Sequence, residues 1–201
     1  MSIRWRPLES DPEIMNKYLA ALKVQENSSF QDIFCLDNDV LELYSQFMTN
    51  EECKMNNIFF MKQTIENACG SIAILHALMN NENLINNSET LQKFKKSVDD
   101  LNFHDRGEQF GNTREFADLH NNLSIQGSSI DHLNEDVYLH FVCFVQKNNH
   151  LFELDGRLPG PIDHGPCKNL LKDTSKQVKM MISENPGEVE FSLIVLCNKE
   201  S

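Results

Sequence analysis

Apolar residues recur at helical spacing in several stretches of the chain. Ile14, Tyr18 and Leu22 follow the capping residue Asp11 and predict a helix over residues 12–22. Further helices are predicted over 40–48, 69–79, 88–101, 113–120 and 170–183. The run over 69–79 is rich in Ala, Ile and Leu, which is typical of a helix buried in the core.

Short apolar runs between these helices predict strands. They lie at 30–36, 58–61, 138–145, 151–155 and 189–197. Because helices and strands alternate without an internal repeat, we expect them to be mixed in one core. A length of 201 residues fits one domain, 1–201, with a sizeable core.

A polar stretch at 121–136 interrupts the regular pattern and contains Gly127, Ser128 and Ser129. An irregular connection of this length is uncommon in a compact domain unless it has a function. We therefore expect a functional loop. The alternative is a solvated connector that lies away from any active residue.

The composition is that of an ordinary globular protein with an acidic balance. The chain holds 18 Lys and Arg against 30 Asp and Glu, a formal net charge of −12. This charge opposes binding to nucleic-acid phosphates or anionic lipid. There is no apolar run of the ~18 residues that a membrane helix needs, and the first ten residues lack the core of a signal peptide. We expect a cytoplasmic monomer with neither nucleic acid nor membrane as partner.

Six cysteines are spread along the chain, and none forms a C-x-x-C pair. We therefore expect no zinc site and no other cofactor, and the reducing cytosol disfavours disulfides. Cys35, Cys143 and Cys197 lie in apolar runs and are typical of packing residues. Cys53 and Cys167 lie in polar loops without an activating neighbour in the sequence.

Cys69 stands at the predicted start of the buried helix. A cysteine in this position experiences the positive end of the helix dipole and free backbone N–H groups, which favour the nucleophilic thiolate. Gly70 permits close approach of another backbone. A buried packing cysteine remains the alternative interpretation.

Gln63 precedes Cys69 by six residues. If its amide reaches the start of the helix, its NH2 group and the backbone N–H of Cys69 can donate together to a developing oxyanion. This spacing is weak by itself, because a glutamine so close to a cysteine often arises by chance.

A hairpin provides a stronger argument because its register can be worked out. Asn148 and Asn149 tolerate a two-residue primed turn, which places Asp155 opposite Val142. His140 then shares a face with Asp155 as a diagonal neighbour, roughly 7–8 Å away at the backbone. Such a pair can orient an imidazole for catalysis. The alternatives are a core histidine and a turn aspartate.

The chain carries a recognisable set of motifs: FMKQTI at 60–65, NACG at 67–70, LHF at 139–141 and LDGR at 154–157, with Arg4-Trp5 and Pro7-Leu8-Glu9 before them. In combination they closely resemble the ubiquitin carboxyl-terminal hydrolase family, specifically its small single-domain L-type isozymes. The resemblance extends from Arg4 to Leu196.

The resemblance implies an α+β fold, the papain-like cysteine protease fold, with a central and mostly antiparallel sheet flanked by helices. It implies Cys69 as the nucleophile, His140 as general base and acid, Asp155 as the residue that orients the imidazole, and Gln63 as the oxyanion donor. These are the roles that the spacing suggested.

The resemblance also implies the substrate, which is ubiquitin or a close ubiquitin-like modifier with a small adduct or short extension on its C-terminal glycine. The loop at about 121–136 would cross over the active site. Residues expected to contact ubiquitin are Pro7, Leu8, Glu9, Gly127, Val137 and Val189.

One region departs from the family pattern. Members usually carry a strongly apolar, proline-bounded strand where residues 37–57 of this chain are polar and helical. We therefore expect a sheet that lacks one inner strand. A deubiquitinating thiol hydrolase is the leading hypothesis, and a ubiquitin-binding module with weak or no turnover is the alternative. A redox-sensing or structural cysteine protein is disfavoured, because no resolving cysteine lies near Cys69.

Overall fold

The structure, a computed structural model, describes residues 4–45, 58–127, 139–187 and 191–198. In these ranges the helices are α1 (Pro12–Ala21), α2 (Asn38–Ser45), α3 (Cys69–Met79), α4 (Glu89–Val98), α5 (Phe103–Asn112), α6 (Arg114–Ser124) and α7 (Leu170–Glu184). A short 3-10 helix, Glu82–Ile85, precedes α4. The strands are β1 (Ser28–Asp32), β2 (Cys143–Lys147), β3 (His150–Leu154), β4 (Ile162–Pro166) and β5 (Ile194–Asn198).

The helices agree with the sequence pattern wherever a capping residue marks the start. Asp11 accepts a hydrogen bond from Glu13 N–H at the start of α1, and Ser88 accepts one from Leu91 N–H at the start of α4. Helix α5 was not predicted. It contains two glycines and few apolar residues, and its signal is the cap Asn102.

Two separate sheets form in the described part of the chain. Strands β1 and β5 pair antiparallel, and β2, β3 and β4 form an antiparallel sheet in that order. Strand β4 was not predicted, because its sequence IDHGP contains a glycine and a proline and lacks an apolar alternation. The expected loss of an inner strand concerns residues 37–57, of which 46–57 lie outside the described residues, so it stays a prediction.

The strands at the two ends of the chain are shorter than predicted. Strand β1 begins at Ser28 and ends at Asp32, where its register with Ile194 at the start of β5 also ends. One further bond, from Ile33 N–H to Leu193 O (2.8 Å), follows this pairing, and the next residue, Phe34, is 88% exposed. Val189, the predicted start of the last strand, lies outside the described residues.

The predicted strand at 58–61 is wrong. The backbone of this segment makes hydrogen bonds to two side chains instead of to a strand. Phe59 N–H donates to Oδ1 of Asn80, directly after α3 (2.9 Å), and Met61 N–H donates to Nε2 of His76, within α3 (3.1 Å). These side chains replace a neighbouring strand as hydrogen-bond partners. The segment therefore runs along α3 towards Gln63.

Helix α3 lies at the centre of the molecule. One of its faces belongs to the main core with α1, α4, α5 and α6, and its alanines pack against a cluster formed with β2 and β3. A separate cluster joins α2 and α7 to the two-stranded sheet through Leu41, Leu171, Val195 and Cys197. Both sheets thus pack on elements that they share, although no ladder connects them within the described ranges.

The predicted loop begins later than expected. Helix α6 continues through Ser124, so Asn121–Ser124 are helical, and the residues from 128 to 136 lie outside the described ranges. No helix in the described part of the chain has the length and apolar character required to cross a membrane.

Candidate active site

Cys69 is the first residue of α3, as predicted. Ala68 at the cap position offers no side-chain hydrogen bond, and the first turn contains no acidic residue. Asn67 has a left-handed backbone (φ 63°), and its side-chain Nδ2 donates to Trp5 O (3.0 Å). No capping side chain therefore binds the N–H groups in the first turn of α3. Such N–H groups stabilise a negative charge, here the thiolate of Cys69.

His140 and Asp155 are in direct contact. His140 Nε2 lies 2.6 Å from Asp155 Oδ1, and the two side chains are only 14% and 15% exposed. Asp155 Oδ1 also accepts from Arg157 N–H at 2.8 Å. Because Asp155 occupies Nε2, the other ring nitrogen of His140, Nδ1, is the atom available to Cys69.

The hairpin register explains this contact. Asn148 and Asn149 both have positive φ, and Cys143 pairs with Leu154, as the predicted turn requires. Only the extent of the first strand differs, because β2 begins at Cys143 rather than near residue 138. Strand β3 ends at Leu154, so the residues around His140 have no ladder partner there.

The ionisation of the three groups is coupled. Burial opposes the thiolate of Cys69, but the proximity and charge of His140, a hydrogen bond from Phe141 N–H and the charge of Arg157 lower its pKa. Burial likewise opposes the imidazolium of His140, yet its hydrogen bond to Asp155 and the nearby Cys69 raise its pKa to about 9.

For Asp155, burial acts to raise the pKa, and the hydrogen bonds from His140 and Arg157 N–H lower it overall. The contact between Cys69 and His140 is looser than that between His140 and Asp155, because His140 Nδ1 is buried but makes no hydrogen bond. A loose contact of this kind is common before substrate binds. The three shifts together favour a thiolate–imidazolium pair that is held by a carboxylate.

Gln63 lies beside this pair. Its Nε2 donates one hydrogen to Ile65 O at 3.0 Å, which fixes the amide, and its backbone N–H donates to Gly156 O at 2.8 Å. The second hydrogen of the NH2 group has no protein acceptor in these contacts. It remains for a substrate oxygen.

Two glycines allow the parts of the site to approach one another. A Cβ at Gly70 would lie 3.0 Å from Leu8 Cβ and 3.4 Å from the Phe141 ring. A Cβ at Gly156 would lie 3.1 Å from the Cβ of Gln63. Gly70, directly after Cys69, is therefore close to Phe141 beside His140, and Gly156, directly after Asp155, is close to Gln63.

The residues expected to contact ubiquitin are only partly described. Leu8 is buried against Gly70, whereas Pro7 and Glu9 are half-buried, and Gly127 lies against Glu9 so closely that a Cβ there would be 2.4 Å from Oε2. Val137 and Val189 lie outside the described residues. The structure thus brings together the N-terminal segment, the start of the loop and the beginning of α3.

Sequence reasoning missed two buried histidines. Burial lowers the pKa of His76 and of His120 to about 4, so both are neutral. His120 Nε2 lies 2.6 Å from Arg6 O, and its Nδ1 lies 2.6 Å from Ser71 Oγ, which connects α6 to α3. A histidine in a polar-looking helix gives no local sign of such contacts.

Among the described residues, one group could place three ligand atoms near a single metal ion: His104, Asp105 and Glu108. All three are exposed and belong to one stretch of α5, so they do not enclose an ion. The side chains around Cys69 offer nucleophilic and acid–base chemistry.

Comparisons with known proteins agree with this chemistry. The model of the family described as ubiquitin carboxyl-terminal hydrolase, family 1, matches residues 5–49 and 42–184. The match consists of two segments that overlap at 42–49, within the stretch 37–57 where the sequence departs from the family pattern.

Curated relatives cover nearly the whole chain. Ubiquitin carboxyl-terminal hydrolase 3 of Arabidopsis thaliana is 34% identical over 226 aligned positions, covering 98% of this chain and 96% of the relative. Ubiquitin carboxyl-terminal hydrolase isozyme L1 of Rattus norvegicus is 30% identical, with coverage of 96% and 97%. An alignment of 226 positions with a chain of 201 residues leaves at least 25 positions of the Arabidopsis protein without a counterpart here.

Solved structures show the same architecture. The catalytic domain of Trichinella spiralis UCH37, solved in complex with ubiquitin vinyl methyl ester, superimposes with a TM-score of 0.81. It is 24% identical and covers 97% of this chain and 96% of its own. This likeness confirms the expected α+β papain-like fold.

Proposed function

The chain belongs to ubiquitin carboxyl-terminal hydrolase family 1, and from this we propose that it removes small adducts or short extensions from the C-terminal glycine of ubiquitin. It is a cysteine-type deubiquitinating hydrolase, and ubiquitin is its partner. We assign the chemistry to Cys69, His140, Asp155 and Gln63.

The reaction begins with the thiolate of Cys69, which attacks the carbonyl carbon of the terminal glycine. A carbon–sulfur bond forms, and the carbonyl electron pair moves to oxygen, where Gln63 Nε2 and the N–H of Cys69 donate to it. The intermediate collapses as the leaving amine takes the proton from His140 Nδ1. Ubiquitin remains bound as a thioester.

Hydrolysis of the thioester reverses these roles. Neutral His140 accepts a proton from water at Nδ1, and the resulting hydroxide attacks the thioester carbonyl. Asp155 holds the imidazole at Nε2 throughout and stabilises its charged form. Collapse of the second intermediate releases free ubiquitin and restores the thiolate–imidazolium pair.

One observation carries this assignment. The contact of 2.6 Å between His140 and Asp155 coincides with a lowered pKa at Cys69 and a pKa of about 9 at His140. A packing cysteine would show the opposite shift, as the buried Cys143 does, whose pKa burial raises to about 12. Perturbed pKa values of this kind are typical of functional sites.

We also propose that Pro7, Glu9 and Gly127 contribute to the ubiquitin contact, together with Val137 and Val189. Support comes from Leu8, which links this N-terminal segment to Gly70 beside the nucleophile. The loop after α6, about 121–136 as first predicted, would cross the cleft and restrict the leaving group. A small amine or a flexible peptide could pass beneath it, whereas a folded domain could not.

The division of the sheet favours a second candidate function. No ladder between the two described sheets fixes the β2–β3 hairpin relative to the rest of the fold, so on this alternative His140 and Asp155 are imperfectly aligned with Cys69 when ubiquitin is bound. The protein would then bind ubiquitin but turn it over slowly.

A direct experiment measures hydrolysis of ubiquitin that carries a fluorogenic amide at its C-terminus. We expect Cys69→Ala to lower kcat/KM by at least about ten-thousand-fold. We expect its Kd for ubiquitin to stay within a few-fold, because the thiol supplies chemistry and little contact area. Cys143→Ala is the matched control, and it should retain kcat. Turnover by Cys69→Ala would contradict the assignment, whereas tight binding with negligible turnover by the unmodified protein would favour the second candidate.

A further inference from the structure

Lys62 precedes Gln63, and its side chain binds the main chain rather than a carboxylate. Its Nζ donates to Arg157 O at 2.7 Å and to Leu158 O at 2.9 Å. Among the described residues, no Asp or Glu lies within ion-pair distance of this half-buried ammonium. Because the lysine ammonium donates to two successive carbonyl oxygens, it fixes the path of the loop to which these carbonyls belong.

The loop in question follows Asp155. Gln63 N–H donates to Gly156 O at 2.8 Å, so residues 62 and 63 bind three consecutive carbonyls, those of residues 156 to 158. The same loop folds back on itself, because Asp155 O accepts from Leu158 N–H at 2.9 Å. Its conformation therefore depends on contacts at both ends.

The backbone of Lys62 is held in place from the other side by α5. Lys62 N–H donates to Phe103 O at 2.8 Å. A Cβ at Gly107 would lie 2.0 Å from Lys62 O, so α5 approaches this residue as closely as a glycine allows. Because α5 holds the backbone of Lys62 in this way, the hydrogen bonds of its side chain keep the loop after Asp155 at a fixed distance from α5.

We propose that Lys62 is a positioning residue, which sets the Asp155 loop, and through it His140, against Gln63 and Cys69. The inference rests on the proposed function and deepens it. Gln63 and Cys69 belong to the segment that leads into α3, whereas Asp155 and His140 belong to the β2–β3 hairpin. Lys62 connects the two parts of the site without touching substrate.

The chemistry of lysine suits this role. A compact ammonium offers three donors, and a hydrogen bond from a charged donor is roughly twice as strong as one between neutral groups. Methionine has a similar length but no donor, so Lys62→Met removes the contacts and leaves the packing of the stem. Glutamine keeps an N–H donor pair but is too short to reach both carbonyls.

The first test is the steady-state hydrolysis of the fluorogenic ubiquitin amide by the full chain. For Lys62→Met we expect kcat to fall by about ten- to a hundred-fold, with KM within three-fold, because a misplacement of about 1 Å can cost this much. The matched control is Lys95→Met, which removes a lysine that is paired with Glu82 on another part of the surface. The control should keep the kcat of the unmodified protein.

The second test needs no ubiquitin. The rate at which iodoacetamide alkylates Cys69, followed by mass spectrometry of its peptide, reports the thiolate–imidazolium pair across pH. If Lys62 positions Asp155, its loss weakens the hydrogen bond to His140, and the alkaline transition of the profile moves to lower pH. If Lys62 acted only through its charge, removing a cation would move that transition to higher pH.

These outcomes separate the inference from the proposed function. If the unmodified protein fails to hydrolyse the ubiquitin amide while Lys62→Met lowers the alkaline transition, the proposed function fails and the role of Lys62 stands. An unchanged kcat with an unchanged profile in folded Lys62→Met would overturn the inference, as would a shift to higher pH. If Lys62→Met does not fold, Lys62→Gln is measured in its place, and the same results decide.

Discussion

The two sheets of this protein are supported in different ways. In the three-stranded sheet, His140 lies just before β2 and Asp155 just after β3, and hydrogen bonds from residues 62 and 63 join the loop after Asp155 to the segment before α3. The two-stranded sheet is held by α1, where Asn16 binds both the N–H and the carbonyl of Phe30, whereas α7, which packs on α2, contacts both sheets. No ladder bond joins the sheets within the described ranges.

This difference indicates how the chain can hold a catalytic centre without a ladder between the two described sheets. The geometry around Cys69 depends on side-chain-to-backbone bonds close to α3 rather than on a continuous sheet. Damage near the two-stranded sheet should therefore affect stability, and damage near the hairpin should affect activity.

The largest effect among the following variants should come from Asp155→Asn. The amide cannot stabilise the imidazolium, and it disturbs the orientation of the ring, so we expect kcat to fall about a thousand- to ten-thousand-fold. The unmodified enzyme should show a bell-shaped pH profile, which rises as Cys69 loses its proton and falls near pH 9 as His140 loses its own. In Asp155→Asn the alkaline limb should move to lower pH. A limb that stays near pH 9 would show that another group holds the imidazole.

A smaller effect should follow from Gln63→Ala. Loss of one oxyanion donor costs about a hundred- to a thousand-fold in kcat, and KM should change little because the donor acts mainly in the transition state. Steady-state kinetics on the ubiquitin amide separate the two parameters. An increase confined to KM would make Gln63 a binding residue instead.

A pair of core variants tests the comparison itself. Leu41 and Leu154 are both almost fully buried, one against the two-stranded sheet and the other directly before Asp155. Each truncation to alanine should lower the free energy of unfolding by about 2–5 kcal/mol. Denaturant titration measures this loss, and kinetics should show an unchanged kcat for Leu41→Ala but a reduced one for Leu154→Ala. Equal losses of kcat would mean that the two regions are coupled.

Local signals in the sequence predicted much of this structure. The caps Asp11 and Ser88 placed two helices, and the Asn148-Asn149 turn gave the register that brings His140 to Asp155. These features depend on neighbouring residues, so a single sequence contains them.

Distant contacts could not be predicted in the same way. The apolar run at 58–61 reads as a strand, but its partners are the side chains of His76 and Asn80 rather than another strand. The contacts of Lys62 likewise join residues about 95 positions apart, and no periodicity encodes them. Helix α5 escaped detection because its glycine at 107 serves contact with Lys62 rather than helix formation.

The central claim is that the catalytic centre is assembled although no ladder joins the two sheets in the described part of the chain. Ubiquitin vinyl methyl ester tests it most directly, because the reagent needs both a ubiquitin-binding surface and an activated thiol. We expect mass spectrometry of the free, folded protein to show a single ubiquitin adduct on Cys69, absent from Cys69→Ala. No adduct, or one on another cysteine such as the half-buried Cys35, would contradict the account.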